Sequence, residues 1–225
     1  MIFAIADLHF DSTKEKPMDV FGENWKNHEQ KIIRDWKEKV KENDLVLLPG
    51  DISWGLKLKD ALPDLEKIDK LPGKKIISKG NHDYWWSSIN KMESQGFKSI
   101  KFLHNNSYEY EGFSICGTRG WMAKDSLEFS EADEKIYDRE VLRLKNSLGQ
   151  AKNKKIIVMI HYPPFSQNHE ENEFSKNLVE YKVELCLYGH LHGKSHKFAF
   201  EGEKNGVIYK FVASDFLDFK LERIF

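Results

Sequence analysis

The sequence predicts an α/β fold of four layers, in which two mixed β-sheets pack face to face and helices flank both outer faces. Three observations support this prediction. Short apolar runs alternate with amphipathic helical patterns before residue 97 and again after residue 130. A β-rich middle, from Ser99 to Gly117, separates these two parts, and alternating β-like segments follow Lys197. Strand–helix alternation on both sides of a β-rich middle favours two packed sheets over one.

The first half of the chain alternates between strand and helix. Its strands are short apolar runs, and its helices repeat apolar residues at a spacing of about 3.6. In chain order we predict a strand at Ile2 to Ala6, a helix at Asn24 to Glu42, a strand at Leu45 to Leu48, an amphipathic helix at Leu56 to Leu71, a strand at Lys75 to Ser78 and a helix at Tyr84 to Gln95. Pro63 is expected to interrupt or start the second helix, and Gly96 to close the third.

The second half begins with the short strands of the middle and then resumes the alternation. In chain order we predict strands at Ser99 to Leu103, Ser107 to Tyr110 and Phe113 to Gly117, a helix at Glu131 to Lys152, a strand at Ile156 to Ile160, a helix at Phe174 to Tyr181 and a strand at Leu185 to Tyr188. The segments after Lys197 are expected to form an antiparallel β tail. Neither a repeat nor a Pro/Gly/Ser-rich linker interrupts the pattern, so we expect a single domain over residues 1–225.

Composition excludes several classes of protein. The chain has 225 residues, a formal net charge of -1, 40% hydrophobic and 32% charged residues, which is an ordinary balance for a soluble domain. Because the net charge is near zero and the sequence has no basic tract, we do not expect strong nucleic-acid binding. Since the sequence shows neither a signal-peptide pattern nor an apolar run long enough to cross a bilayer, we expect a cytoplasmic protein that does not associate with membranes.

Five short polar clusters each follow one of the predicted strands. They are Asp7-Leu8-His9, Gly50-Asp51, Gly80-Asn81-His82-Asp83, His161 and Gly189-His190-Leu191-His192. Ligands bind at the carboxyl ends of the strands in open α/β sheets, so we expect the five clusters to meet in one place. Each motif alone matches freely by chance, but their consistent position after apolar runs predicts a metal centre that holds two ions.

The types of side chain indicate which chemistry this centre would support. Asp7 and His9, two residues apart, can hold one ion through an oxygen and a nitrogen, and Asp51 can bridge two ions. With two carboxylates and a bridging hydroxide against two divalent cations, the centre keeps a net positive charge. A positive and open site suits phosphate esters.

Together the motifs Asp-x-His, Gly-Asp, Gly-Asn-His-Asp, a strand-terminal His and Gly-His-x-His resemble those of the calcineurin-like metallophosphoesterase family. The resemblance spans Asp7 to His192 and implies the four-layer fold predicted above. It implies one metal held by Asp7, His9, Asp51 and His192, and a second held by Asp51, Asn81, His161 and His190. It also implies that His82 contacts the phosphate or protonates the leaving oxygen, and that Asp83 orients His82.

The resemblance further implies a phosphatase or phosphodiesterase, which hydrolyses phosphate mono- or diesters by attack of a metal-bridging hydroxide. The nitrogen and oxygen ligands fit manganese, iron, zinc, nickel or cobalt, and we favour manganese or iron. A nucleotide pyrophosphatase and a protein Ser/Thr phosphatase are the alternative enzymes, but the short chain favours a small phosphorylated substrate. A non-catalytic binding module on the same fold is the alternative outside enzymes, and a nuclease is disfavoured by the charge.

Other residues near the predicted centre leave two interpretations open. Arg119, just after a strand, can either bind the phosphate of a substrate or form a structural salt bridge. The segment from Phe10 to Glu23 follows His9 directly and is expected to overhang the site, and the acidic segment from Gln167 to Glu173 is either a second such loop or solvated surface.

Overall fold

The computed structural model describes residues 1–166 and 168–225 and contains two mixed β-sheets with helices around them. In chain order the strands are β1 (Ile2–Ala4), β2 (Leu45–Pro49), β3 (Lys74–Ser78), β4 (Ile100–Leu103), β5 (Tyr108–Tyr110), β6 (Phe113–Thr118), β7 (Lys155–Ile160), β8 (Leu185–Tyr188), β9 (Gly202–Lys204), β10 (Val207–Phe211) and β11 (Glu222–Arg223). The α-helices are α1 (His28–Lys39), α2 (Leu58–Asp69), α3 (Ile89–Glu93), α4 (Glu131–Leu148) and α5 (Glu173–Glu180).

Each sheet has a parallel centre and antiparallel strands at its edge. The first sheet has the order β11-β1-β2-β3-β4, in which β1 to β4 are parallel and β11 is antiparallel to β1. The second has the order β5-β6-β7-β8-β10-β9, in which β6, β7, β8 and β10 are parallel. In the second sheet β5 and β9 are antiparallel to their neighbours. The carboxyl ends of the central strands of each sheet therefore lie at a common edge.

Three apolar clusters separate the four layers. In β7, Ile157 and Met159 face the layer between the sheets, whereas Ile156, Val158 and Ile160 belong to the cluster under α4 and α5. β1 divides its side chains in the same way between the inner layer and a cluster beneath α1 and α2. Because successive strand residues point to opposite faces, both faces of each sheet are covered and the apolar runs are continuous. The predicted four-layer fold is confirmed.

The two sheets meet beside the ends of β1 and β10. Ala6 forms a parallel bridge with Ala213, supported by hydrogen bonds from Ala6 N to Val212 O (2.7 Å) and from Ser214 N to Ala6 O (3.1 Å). The residues that follow these strands are thereby brought to the junction between the sheets.

Three elements differ from the sequence-based predictions. The predicted helix at Tyr84 to Gln95 shortens to α3, which begins after the N-cap Ser88. α2 contains Pro63 in its interior and starts upstream of it, where Asp60 Oδ2 accepts the N–H of Lys57 (3.1 Å). The expected antiparallel tail is only partly correct, since β10 pairs in parallel with β8.

Candidate metal centre

The five motifs predicted from the sequence converge where the strands end, and their backbone is unusual there. Asp7, His9, Asp51 and His190 all adopt left-handed backbone conformations, with φ of 58°, 47°, 53° and 75°. Such conformations cost non-glycine residues about 1–3 kcal/mol each and persist where surrounding contacts impose them. The chain therefore turns sharply beyond β1, β2 and β8, and the side chains of these residues point towards one centre.

Glycines next to these residues allow backbones from different strands to approach closely. A Cβ on Gly80 would lie 2.0 Å from Asp51 Oδ1, and a Cβ on Gly189 would lie 2.2 Å from Asp7 Oδ2. No side chain fits at these distances. The glycines of the Gly-Asn and Gly-His motifs are thus required by the carboxylates that occupy the space in front of them.

A first group of ligand atoms comes from Asp7, His9 and His192, with one atom from each residue and all within 4.8 Å of one another. His9 Nε2 lies 3.4 Å from His192 Nε2, and His192 Nε2 lies 3.4 Å from Asp7 Oδ1. Both imidazoles thus aim their Nε2 atoms at the same point beside a buried carboxylate.

A second group forms around the amide oxygen of Asn81. Asn81 Oδ1 lies 2.7 Å from His161 Nε2 and 2.8 Å from His190 Nδ1. The ring of His161 is oriented by Pro49, whose carbonyl oxygen is 3.0 Å from Nδ1, so Nε2 faces the centre. One oxygen and two ring nitrogens converge here.

The carboxylate of Asp51 lies between the two groups. Its Oδ2 is 3.4 Å from His161 Nε2 and 3.7 Å from His9 Nε2. Ligand atoms of Asp7, Asp51 and His161 also lie within 4.8 Å of one another, so the groups form one continuous cluster. All the converging atoms are oxygens or imidazole nitrogens, which are ligands that divalent transition metals accept. The residues present therefore fit metal ions.

The electrostatics of the cluster favour positive charge. Burial opposes protonation of His161, but the carboxylates of Asp51 and Asp7 outweigh it and raise its pKa to about 9. In the same way burial is outweighed at His192, where Asp7 and Asp215 raise the pKa to about 10. Burial dominates at His190 and, together with His161, lowers its pKa to about 3. The two buried carboxylates therefore attract positive charge to the cluster, and a bound metal ion would supply that charge in place of the ring protons.

His82 lies beside the cluster without joining either group. Its backbone N–H donates to Asp51 Oδ1 (2.8 Å), and its ring centroid lies 5.7 Å from that of His9 and 4.5 Å from that of Trp54. Burial lowers the pKa of His82, and its Nδ1 has no hydrogen-bond partner within the described part of the chain. The half-buried ring is thus placed to contact a molecule bound in front of Asp51.

Asp83 makes contacts other than the one expected for it. Its fully buried carboxylate accepts backbone N–H groups from Asp51 (2.9 Å), Gly80 (2.8 Å), Ile52 (2.9 Å) and Ser53 (3.3 Å) and the indole N–H of Trp85 (2.9 Å). The expected hydrogen bond to the His82 ring does not occur in the described residues. Burial and the nearby Asp51 carboxylate raise the pKa of Asp83 to about 6. Asp83 ties the loop after β2 to the loop after β3.

Arg119 forms a structural salt bridge, which was one of the two interpretations of this residue. Its Nη2 lies 3.4 Å from Glu140 Oε1, and its guanidinium stacks 4.3 Å from the ring centroid of Trp121. Its carbonyl oxygen accepts the N–H groups of His161 (3.0 Å) and Tyr162 (3.1 Å). Arg119 therefore supports the strand end that carries His161.

Trp54 and the segment after His9 border the centre. The Trp54 ring stacks on His9 at 4.8 Å and 21°, and its Nε1 donates to Met18 Sδ (3.1 Å). Lys16 Nζ lies 5.4 Å from the centroid of the same ring. The segment from Phe10 to Glu23 thus packs onto a wall of the site. In the acidic segment, Gln167 lies outside the described residues, and His169 Nε2 is hydrogen-bonded to Phe198 O (2.8 Å).

The sequence-based reasoning missed Asp215, whose buried carboxylate lies behind His192. Asp215 Oδ1 is 2.9 Å from His192 Nδ1, and the neighbouring Ser214 Oγ donates to the carbonyl oxygen of Asp7 (2.7 Å). No motif marks these residues. The signal that could have found them is their position, because they follow β10 as the other clusters follow their strands.

The fold and the cluster together define a class of metal-dependent phosphoesterases, and comparison with known proteins agrees. The family model described as calcineurin-like phosphoesterase matches residues 1–194. The chain belongs to this family.

Individual relatives are distant. The uncharacterized protein MJ1445 of Methanocaldococcus jannaschii is 26% identical over 125 residues, which cover 52% of this chain and 67% of the relative. Among solved structures, phosphopantetheinyl hydrolase from Mycobacterium tuberculosis has a TM-score of 0.58 at 14% identity, covering 94% of this chain and 88% of its own. A protein of unknown function from Aquifex aeolicus, AQ665, has a TM-score of 0.51 at 20% identity, covering 98% and 94%. GAP50, described as the anchor in the inner membrane complex of Plasmodium, has a TM-score of 0.50 at 18% identity, covering 95% and 71%. At these identities the structural likenesses show the fold.

Across residues 1–166 and 168–225, none of the helices combines the length and the apolarity needed to span a bilayer.

Proposed function

We propose that this protein hydrolyses phosphate mono- or diesters of small molecules with the help of two divalent metal ions. The position of Asp51 is the single observation that carries the proposal. One oxygen of this buried carboxylate lies within 3.7 Å of a ring nitrogen from each ligand group, which is the placement that a bridging ligand needs. A structural site for one ion needs only one such group of ligands, and here a second group lies on the far side of the same carboxylate.

The ligands of the two ions follow from the two groups. Asp7, His9, Asp51 and His192 would hold one ion, and Asp51, Asn81, His161 and His190 the other. We favour manganese or iron as the metal, and zinc, nickel and cobalt are also suited to these ligands. When bound, paired divalent ions polarise phosphoryl oxygens and lower the pKa of a shared water.

His82 is the residue of this chain that we propose to act on the substrate. Its ring stands beside the cluster with its backbone fixed to Asp51, and it does not belong to either ligand group. From there it would either contact the phosphate or give a proton to the leaving oxygen as a general acid. Asp83, which holds the loops together, would act on this reaction only by positioning Asp51 and Asn81 through the backbone of their loops.

A small substrate is favoured by what surrounds the cluster. Trp54 stacks on His9, and Met18 and Lys16 contact the Trp54 ring in turn. These residues therefore enclose one side of the cluster. A protein phosphatase would need an extended groove at the metal ions. A phosphopantetheinyl hydrolase is among the solved structures that share this fold, and its name describes hydrolysis at a phosphopantetheinyl group. For this chain we propose a small phosphorylated substrate.

Hydrolysis of two chromogenic esters tests the proposal. The metal-stripped protein is given Mn²⁺ and then p-nitrophenyl phosphate or bis(p-nitrophenyl) phosphate in parallel reactions. We expect metal-dependent turnover of at least one ester, and the preferred ester separates a monoesterase from a diesterase. Asp51→Asn is the control and should lose both metal and turnover. A protein that binds two Mn²⁺ ions and hydrolyses neither ester would favour a binding module on this fold.

A further inference from the structure

We propose that Asp215 is a positioning residue, which fixes the orientation and tautomer of His192 and so sets the affinity of the first ligand group for its metal. The inference rests on the metal centre proposed above. Asp215 lies beyond residues 1–194, which the family model matches, and no motif of the sequence includes it.

The carboxylate of Asp215 is held rigidly behind the ring. Its side chain is 0% exposed, and its Oδ1 lies 2.9 Å from His192 Nδ1. Its Oδ2 accepts the N–H of Gly193 at 3.0 Å and lies 3.1 Å from His196 Nε2. Both oxygens are therefore engaged, and the carboxylate can neither rotate nor turn to solvent.

The segment that carries Asp215 is anchored to the same strand end as Asp7. Ala213 bridges Ala6, and Ser214 donates its hydroxyl to Asp7 O (2.7 Å) and its N–H to Ala6 O (3.1 Å). Asp7 and His192, two ligands of the first group, are thus both positioned by consecutive residues of one loop. This loop is a sixth strand-end segment at the centre.

The chemical consequence concerns the proton on His192. An ionised carboxylate only accepts hydrogen bonds, so Nδ1 of His192 must carry the hydrogen. The lone pair is then on Nε2, which faces Asp7 Oδ1 and His9 Nε2, each at 3.4 Å. Without Asp215 the ring could protonate Nε2 instead, and that tautomer cannot bind a metal there. A hydrogen-bonded carboxylate behind a histidine ligand commonly strengthens metal binding about 10–100-fold.

Calorimetric titration of the metal-free protein with Mn²⁺ measures this effect. We expect two sites in the wild-type protein, and in Asp215→Asn one site weakened about 10–100-fold with the other unchanged. Asp218→Asn is the matched control, since its carboxylate lies in the same loop but is 77% exposed and pairs with Lys220. This control should bind both ions as the wild type does. The melting temperatures of the metal-free proteins show whether either variant perturbs the fold.

The outcomes separate this inference from the proposed function. A wild-type protein that binds no Mn²⁺ contradicts the metal centre itself. If the wild type and Asp215→Asn both bind two Mn²⁺ ions with the same affinities, the role of Asp215 is overturned and the metal centre stands. If Asp215→Asn does not fold, the inference is tested on the zinc-loaded wild type instead, because ¹⁵N spectra of its histidines report the tautomer of each ring. Protonated Nδ1 on His192 is expected, and zinc bound through Nδ1 would overturn the inference.

Discussion

Replacing Asp83 by asparagine distinguishes two roles for this residue. In the structure its carboxylate accepts five N–H groups that belong to the loops after β2 and β3, whereas the motif resemblance implied that it orients His82. The anchoring role predicts loss of stability and of metal binding. The orienting role predicts that both persist while turnover falls.

The size of the effect follows from which oxygen is lost. In the wild type, Asp83 Oδ2 accepts the N–H groups of Asp51 (2.9 Å) and Gly80 (2.8 Å). An asparagine can keep its oxygen towards Ile52, Ser53 and Trp85, but its amino group then faces these two N–H groups and cannot accept from them. Each hydrogen bond to a charged acceptor contributes about 1.5–3 kcal/mol, so the loss of two amounts to about 3–6 kcal/mol. Burial and the Asp51 charge already disfavour the ionised carboxylate, which raises its pKa to about 6. We therefore expect a loss near the lower limit, about 3 kcal/mol.

Urea unfolding of the metal-free protein and Mn²⁺ titration measure the two effects. The matched control is Asp69→Asn, whose carboxylate accepts the N–H groups of Lys98 (3.1 Å) and Ser99 (2.8 Å) at the amino-terminal end of β4. This control should lose stability but keep its metal affinity. The reasoning is refuted if Asp83→Asn unfolds within about 1 kcal/mol of the wild type and binds Mn²⁺ equally well.

Three further substitutions test other parts of the account. Gly80→Ala should weaken Mn²⁺ binding at least about tenfold, because its Cβ would lie 2.0 Å from Asp51 Oδ1; Gly149→Ala, where the nearest atom is 3.2 Å away, should bind normally in the same titration. His82→Ala should retain both metal ions and lower kcat about 10²–10⁴-fold, most for esters with poor leaving groups, and loss of metal would contradict its assignment. Burial lowers the pKa of Lys75 from 10.5 to about 8, so the unfolded chain binds more protons between these values and stability should rise with pH there. Urea unfolding at about pH 7 and about pH 9.5 should show the wild type gaining stability relative to Lys75→Met, and a relative loss would contradict the burial argument.

The layers and the residues of the cluster could be predicted because they depend on local patterns. Apolar runs such as Ile156 to Ile160 are continuous, since both faces of each sheet are buried, and a polar residue directly after such a run must lie at the edge of the sheet. The convergence of the five polar clusters therefore follows from their positions in the sequence.

The contacts of Asp83 and Asp215 could not be predicted, because they join segments that are distant in sequence. Asp83 accepts the N–H groups of Asp51 and Ile52, which lie 32 and 31 positions away in sequence, as well as the indole N–H of Trp85. Asp215 follows β10 as the other clusters follow their strands, but this position leads to the centre only because β10 is parallel to β8 and ends beside it. The alternating pattern of that segment is equally compatible with the antiparallel pairing that we expected.

The electron paramagnetic resonance spectrum of the protein loaded with Mn²⁺ tests the central claim most directly. Two ions that shared the carboxylate of Asp51 would lie about 3.5–4 Å apart and would be magnetically coupled. We expect elemental analysis to find two Mn²⁺ ions per chain and the spectrum to show a coupled pair, which disappears in Asp51→Asn. A single ion per chain, or two ions with the spectrum of isolated Mn²⁺, would contradict a centre bridged by Asp51.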